Sequence, residues 1–288
     1  MNLAVNLNKN LHNTSHDAVT ATKKIFKVRK AGHAGTLDPL ATGVLIVCLN
    51  EATKITGYLA DLDKEYIMTA KLGETTDTYD AEGPAVRRVG KVNVGLSEIE
   101  EALARFTGEI QQVPPMYSAI KREGKPLYEL ARQGIEVERK PRKVTISSIS
   151  ILKFESPFLT VRVACSKGTY IRSLCHDMGE ALGVGAYVTE LTRTRIGHFS
   201  IENAATLEEL PFKTEAIYSL DAALQHLPSV RVEGDDLKRA KNGNPVKLSG
   251  GRQEIHKGFV RLADAGGRLF GIGKTFGGLI KIERLFNM

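Results

Sequence analysis

Tryptophan is absent from this chain, and aromatic residues make up only 6% of it. An extended platform on which successive bases of a single strand stack is therefore not expected, because such platforms rest on a row of aromatic faces. No apolar run approaches the length of a membrane span, and the opening MNLAVNLNKN lacks the apolar core of a secretory signal. A soluble, cytoplasmic protein without membrane contact is the expectation. Cysteine is scarce: Cys48, Cys165 and Cys175 form no CxxC pair, and their odd count argues against a disulfide framework. Cys165, Cys175 and His176 lack the paired spacing of a metal centre, so buried reduced thiols are expected and no metal is assigned. The glycine-rich tail has neither the Walker lysine spacing nor a full dinucleotide fingerprint, so no nucleotide cofactor is indicated.

What is present points towards a polyanion. The 288 residues carry 40 Lys and Arg against 33 Asp and Glu, a net charge of +7 and a pI near 9.2. Such a cation attracts nucleic acid or another acidic partner, although charge says nothing about fold. The length accommodates one large domain and a smaller one.

Thr14 and Asp17 have capping-box spacing, and the apolar residues that follow predict a helix ending near Lys30. Lys23, Lys24, Lys27 and Arg29 lie on it. Residues 44–49 (VLIVCL) read as a buried strand, 65–72 as a second strand, and 75–84 (TTDTYDAEGP) as a polar loop. Ser97 with Glu100 is read as the cap of a helix that Gly108 stops. Strands follow at 144–154 and 158–165, then a helix from about Tyr170 to Leu182 and a strand at 187–194. Strands and helices do not alternate regularly, so the class is α+β rather than doubly wound. Near Pro228 the rhythm shortens to small strands punctuated by glycine, in GGR at 250–252, AGGR at 265–268 and GIGK at 271–274. The expected domains are 1–227 and a small β-rich domain at 228–288. No unexplained apolar helix face asks for a partner, so a monomer is expected.

Chemistry is concentrated in residues 32–43, GHAGTLDPLATG. Asp38 precedes Pro39 among Gly32, Gly35 and Gly43, and taken alone it reads as a turn residue. Its setting adds weight to a functional reading: His33 and Thr36 share the loop, basic residues precede it, and a core strand anchors its far end.

The segment GHAGTLDPLATGVLIVCLNEATK resembles the catalytic-aspartate segment of the bacterial TruB family, the tRNA pseudouridine-55 synthases. KEY at 64–66, VPPMYSAIKREGKPLYELARQG at 113–134, GTYIRSL at 168–174 and LTRTRIGHF at 191–199 resemble further family segments in the expected order. The resemblance implies a pseudouridine synthase fold with a mixed, largely antiparallel sheet. It also implies isomerisation of uridine-55 to pseudouridine in the tRNA T loop, by base extrusion and an aspartate nucleophile. A carboxylate suits that role because it can attack carbon and leave again, and the isomerisation needs no cofactor. By resemblance Asp38 is the nucleophile, attacking C6 of the base or C1′ of the sugar. Arg172 is its ion-pair partner, favouring the charged carboxylate, and Tyr66 lies against the base. Without the resemblance, Arg172 reads as a surface helix charge and Tyr66 as a core tyrosine. His33, Leu191, Lys9, Lys64, Thr36 and Gly35 are implied in substrate binding. Lys9 is followed by Asn10, Leu11 and His12 where the family usually has Pro-x-Gly, a departure that puts the shape of this loop in question.

Two basic groups, Lys23 to Lys30 and Lys121 to Lys143, suit phosphates of a folded RNA. The tail resembles a PUA-type RNA-binding domain through RAKNGNPV at 239–246 and RLFGIGK at 268–274, which implies contact with the acceptor region of the same tRNA. The runner-up function is a non-catalytic RNA-binding or RNA-folding protein with a vestigial site. The joint presence of Asp38, Tyr66 and Arg172 favours the enzyme.

Overall fold

The computed structural model describes residues 1–247 and 258–287. The GGR stretch at 250–252 lies outside them. The chain runs from β1 (Leu3–Lys9) through α1 (Ser15–Ile25) and the short β2 (Ala31–His33) to β3 (Ala41–Leu49). After α2 (Thr56–Ala60) come β4 (Lys64–Leu72) and a hairpin of β5 (Glu74–Thr76) and β6 (Ala85–Arg88). Then α3 (Leu96–Ala104) and β7 (Gly108–Gln112) lead to a small hairpin, β8 (Lys121–Arg122) and β9 (Lys125–Pro126), and to α4 (Leu127–Arg132). The long strands β10 (Arg142–Glu155) and β11 (Phe158–Cys165) precede α5 (Ile171–Ala181), β12 (Ala186–Ile196) and β13 (Phe199–Ser200). β14 (Ile217–Ser219) and α6 (Leu220–Ala223) follow. The remainder holds β15 (Ser229–Arg231), α7 (Gly234–Lys241), β16 (Val246–Lys247), β17 (Phe259–Ala263), β18 (Leu269–Phe276) and β19 (Leu279–Leu285).

The main sheet has the order β14-β1-β3-β12-β4-β11-β10-β7. Along that path every pair is antiparallel except β3 with β12, which is parallel. A second sheet, β15-β17-β18-β19-β16, forms the C-terminal β-rich unit. The architecture is thus α+β, with a mixed and largely antiparallel sheet.

The unbroken apolar run in β3 is explained by burial on both faces. Side chains alternate across a strand, and Leu45, Val47 and Leu49 enter one core with Tyr66, Leu174 and Leu191. Val44, Ile46 and Cys48 enter another, shared with Leu269, Ile272 and Phe286 of the C-terminal unit. Lys54 Nζ also donates to the Leu285 carbonyl at 2.8 Å, so the C-terminal sheet is fastened to the back of the strand that leaves the Asp38 loop. All three cysteines are buried free thiols. Burial pushes the Cys48 thiol up to about 12 and Cys165 to about 11.

Three sequence-based boundaries are corrected. α1 has the expected reciprocal cap between Thr14 and Asp17 but ends at Ile25, and Lys27 takes a left-handed φ of +50° that no helix continues through. Only Lys23 and Lys24 lie in its last turn. The cap of α3 is at Gly95, whose N–H donates to Glu98 Oε2 at 2.7 Å; Ser97 and Glu100 are inside the helix. Gly108 opens β7 rather than stopping α3, which ends at Ala104. The expected polar loop at 75–84 is borne out over 77–84, which connect β5 to β6; only Thr75 and Thr76 belong to a strand.

Candidate active site

The loop from Gly35 to Leu40 leads into the start of β3 at the centre of the sheet, where β3 runs parallel to β12, and three anchors fix it. Ser15, the first residue of α1, accepts at Oγ from the Leu37 N–H (2.8 Å) and donates to the Leu37 carbonyl (3.0 Å). The Ala41 N–H donates to the Asp38 carbonyl at 3.0 Å, closing a turn around Pro39. Buried Arg193 on β12 donates from Nη2 to the Gly35 carbonyl (3.0 Å), from Nη1 to that of Thr36 (3.4 Å) and from Nε to that of Val44 (2.7 Å). Gly43 is required at this crossing. Its φ is +97°, and a Cβ there would lie 2.2 Å from the Arg193 carbonyl oxygen.

Asp38 and Arg172 meet. Arg172 sits in the first turn of α5, where apolar neighbours turn it inward, and its side chain is 5% exposed. Its Nε lies 2.8 Å from Asp38 Oδ2, and its Nη1 lies 3.2 Å from Asp80 Oδ2. Nη1 also donates to the Thr78 carbonyl at 2.9 Å and Nη2 to the Tyr117 carbonyl at 2.7 Å. The planar fork is therefore held from several directions while Asp38, 37% exposed, remains open to the solvent side. Asp80 is the buried anchor. It accepts at Oδ1 from Thr78 Oγ1 (2.5 Å) and the Glu82 N–H (3.0 Å). Burial nevertheless outweighs these bonds and the Arg172 charge, and pushes its carboxyl above the usual range.

A cavity of about 260 Å³ opens in front of this pair, lined by Asp38, Arg172, Tyr66, Leu191, Lys64, Thr36 and Gly35 among others. Tyr66 lies opposite Arg193 across the β4–β12 pairing. Burial pushes its phenol up, opposed by the Arg193 charge and its hydrogen bond. Lys64 donates to the carbonyls of Ala60 and Leu62, and burial lowers its ammonium to about 8. A second hollow of about 480 Å³ shares Asp38 and Arg172 and includes His33, Glu82, Tyr117 and Arg132. His33 is thus beside Asp38 but on the outer side of the loop, and burial lowers its imidazole.

Lys9 lies behind the Asp38 loop. It lines neither hollow; its buried Nζ donates to the carbonyls of Asn13 (2.6 Å) and Asn10 (3.0 Å). It braces the loop that precedes α1, in the position where the usual proline and glycine are missing, and a third contact, to the Pro39 carbonyl at 3.5 Å, ties it to the Asp38 loop. The basic residues of the middle of the chain partly converge: Lys121, Arg122, Arg139, Lys140 and Arg142 line one hollow beside β8 and β9. Among the described residues, no cluster of His, Cys, Asp and Glu is arranged to hold a metal ion, and no helix is long and apolar enough to cross a membrane.

Sequence reasoning missed Asp80, Ser15 and Arg193. Arg193 carried a readable signal, since it lies two positions after Leu191 on one strand and so shares its inward face. Asp80 carried none, because a carboxylate in a polar turn has no periodicity.

Residues 23–171 match the model of the TruB family pseudouridylate synthase N-terminal domain. Residues 172–227 match that of the tRNA pseudouridylate synthase B C-terminal domain, and residues 228–286 that of the pseudouridine synthase II TruB C-terminal region. The chain is 49% identical over 288 residues to tRNA pseudouridine synthase B of Dechloromonas aromatica (strain RCB), covering 98% of this chain and 94% of that protein. It is 45% identical over 287 residues to tRNA pseudouridine synthase B of Burkholderia pseudomallei (strain 668), covering 97% and 95% respectively. Among solved structures it is similar to a chain of an H/ACA RNP bound to a substrate RNA containing 2′-deoxyuridine. The TM-score is 0.75 at 28% identity, covering 99% of this chain and 85% of that chain. The fold is that of the pseudouridine synthases, and the chain belongs to the TruB family of pseudouridylate synthases.

Proposed function

We propose that this protein converts the T-loop uridine at position 55 of tRNA to pseudouridine, with Asp38 as the nucleophile. The observation that carries the reading is the Asp38–Arg172 ion pair at the wall of a cavity that also holds Tyr66 and Leu191. The reaction breaks the bond from ribose C1′ to N1, turns the base and rejoins it through C5. A carboxylate can attack carbon and then depart, and the guanidinium fixes its orientation towards the pocket. Tyr66 packs against the base and relays the C5 proton through its hydroxyl, which gives up its own proton as it takes that one, while N1, freed from the sugar, gains a proton from solvent. Leu191 closes the apolar side of the pocket. His33, on the outer rim, stacks in the loop from which the base is extruded and offsets part of the extrusion cost. Thr36, Gly35 and Lys64 line the pocket around the base.

Phosphates of the folded RNA bind along the hollow at Lys121, Arg122 and Lys140, with the exposed cations after α1 as a second contact. Residues 228–288 act as a PUA-like domain on the acceptor region of the same tRNA, a division supported by the separate sheet that begins at Ser229. In this reading the protein acts as a monomer. Mass-spectrometric mapping of an unmodified tRNA transcript treated with the purified protein tests the reading. Pseudouridine at the T-loop uridine supports it; an unchanged transcript, or modification elsewhere only, overturns it.

A further inference from the structure

Tyr79 holds φ at +63°, a left-handed conformation that is a rarity for a bulky side chain. Its neighbours on either side supply two of the groups that hold Arg172. The Thr78 carbonyl accepts from Nη1 at 2.9 Å, and the Asp80 carboxylate lies 3.2 Å from the same nitrogen. A small change in the turn at Tyr79 would therefore move both acceptors together.

The Tyr79 ring stacks on the imidazole of His176, with centroids 4.0 Å apart and planes 12° from parallel. His176 lies on α5 four residues after Arg172, so the two side chains emerge from one helix face, a turn apart. That face grips the 78–80 turn at two points: Arg172 takes its polar groups and His176 takes its ring. The backbone is held as well. The Val188 N–H donates to the Tyr79 carbonyl at 3.0 Å, and Thr76 Oγ1 donates to the Asp80 carbonyl at 2.7 Å. Burial lowers the imidazole of His176, and its Nδ1 has no hydrogen-bond partner among the described residues. The ring thus contributes a flat surface rather than a proton.

We propose that Tyr79 and His176 are positioning residues whose stack fixes the turn that aims Arg172 at Asp38. The inference rests on the proposed reaction for its kinetic consequence, and on geometry alone for its structural one.

Steady-state turnover of unmodified tRNA by the full-length protein tests it, with the wild type in parallel. His176→Ala should lower kcat roughly tenfold, a barrier increase of about 1.4 kcal/mol, with KM for tRNA unchanged. His176→Phe, which keeps a planar ring, should recover most of the rate. Against an Asp80→Asn background, His176→Ala should cost little more, because both act through Arg172. An unchanged kcat, a loss that phenylalanine does not rescue, or full additivity with Asp80→Asn overturns the proposal. If His176→Ala does not fold, His176→Leu fills the volume without a planar ring and carries the same prediction. Hydrogen exchange of the Arg172 Nε–H gives a readout that needs no turnover. Slow exchange in the wild type and fast exchange in His176→Ala supports the positioning role, and equal exchange overturns it. A wild type without turnover counts against the proposed reaction, while the exchange rates still decide the positioning role.

Discussion

Arg172 Nε lies 2.8 Å from Asp38 Oδ2, and the two side chains differ sharply in exposure, 5% against 37%. One guanidinium joins an accessible carboxylate to a buried one, Asp80, which is 3% exposed. The inner contact is shielded from solvent and the outer one faces the cavity.

Removing the guanidinium separates these roles. Arg172→Met leaves Asp80 buried without its cation, and should destabilise the fold by about 3 kcal/mol, read by urea titration. Arg172→Lys keeps the charge but not the fork, which reaches Asp38, Asp80 and the Thr78 and Tyr117 carbonyls at once. It should retain more stability and still lose roughly 100-fold in kcat.

Gly43 answers for the path of the loop. Alanine there would take φ +97° and put its Cβ against the Arg193 backbone. Gly43→Ala should lower stability by about 2–4 kcal/mol, or prevent folding, whereas substitution of Gly32, which has open space around it, should cost under about 1 kcal/mol.

The Ser15 hydroxyl is a smaller anchor. Ser15→Ala breaks both hydrogen bonds to Leu37, leaving a buried N–H and carbonyl unpaired. A loss of about 1–3 kcal/mol in chemical denaturation is expected, with kcat falling more than KM rises.

Asp177 gives a pH-dependent test away from the reacting groups. Burial, reinforced by the Glu180 charge, pushes its carboxyl up from 3.8 to about 6. A raised carboxyl favours the folded state while protonated, so this contribution is complete below about pH 4 and is lost as pH rises through 6. Asp177→Asn should therefore stabilise the protein at pH 7.5, by about 1 kcal/mol after allowance for partial exposure, and make no difference near pH 4. Thermal melts at the two pH values check the sign.

The fold was largely legible because its signals are local, whereas the site residues were singled out by resemblance. The β-branched run in β3, the Thr14–Asp17 cap and the alternation in β11 each mark an element within a few residues. The glycines and proline around Asp38 read as a turn, and only the resemblance of the whole segment pointed to chemistry. What could not be read is non-local: Asp80 matters because Arg172, 92 positions on, is folded against it, and Ser15 because Leu37 lies on its hydroxyl. The basic helix was overextended for the opposite reason, since a run of lysines continues past the residue where the backbone turns left-handed.

Pseudouridine formation by Asp38→Asn is the most direct measurement. The substitution keeps the shape of the side chain and one of its oxygens, so tRNA binding should persist. Mass-spectrometric mapping should find no pseudouridine at the T-loop uridine after incubation that converts the transcript fully with the wild type. Undiminished conversion by Asp38→Asn would contradict the account of Asp38 as the nucleophile.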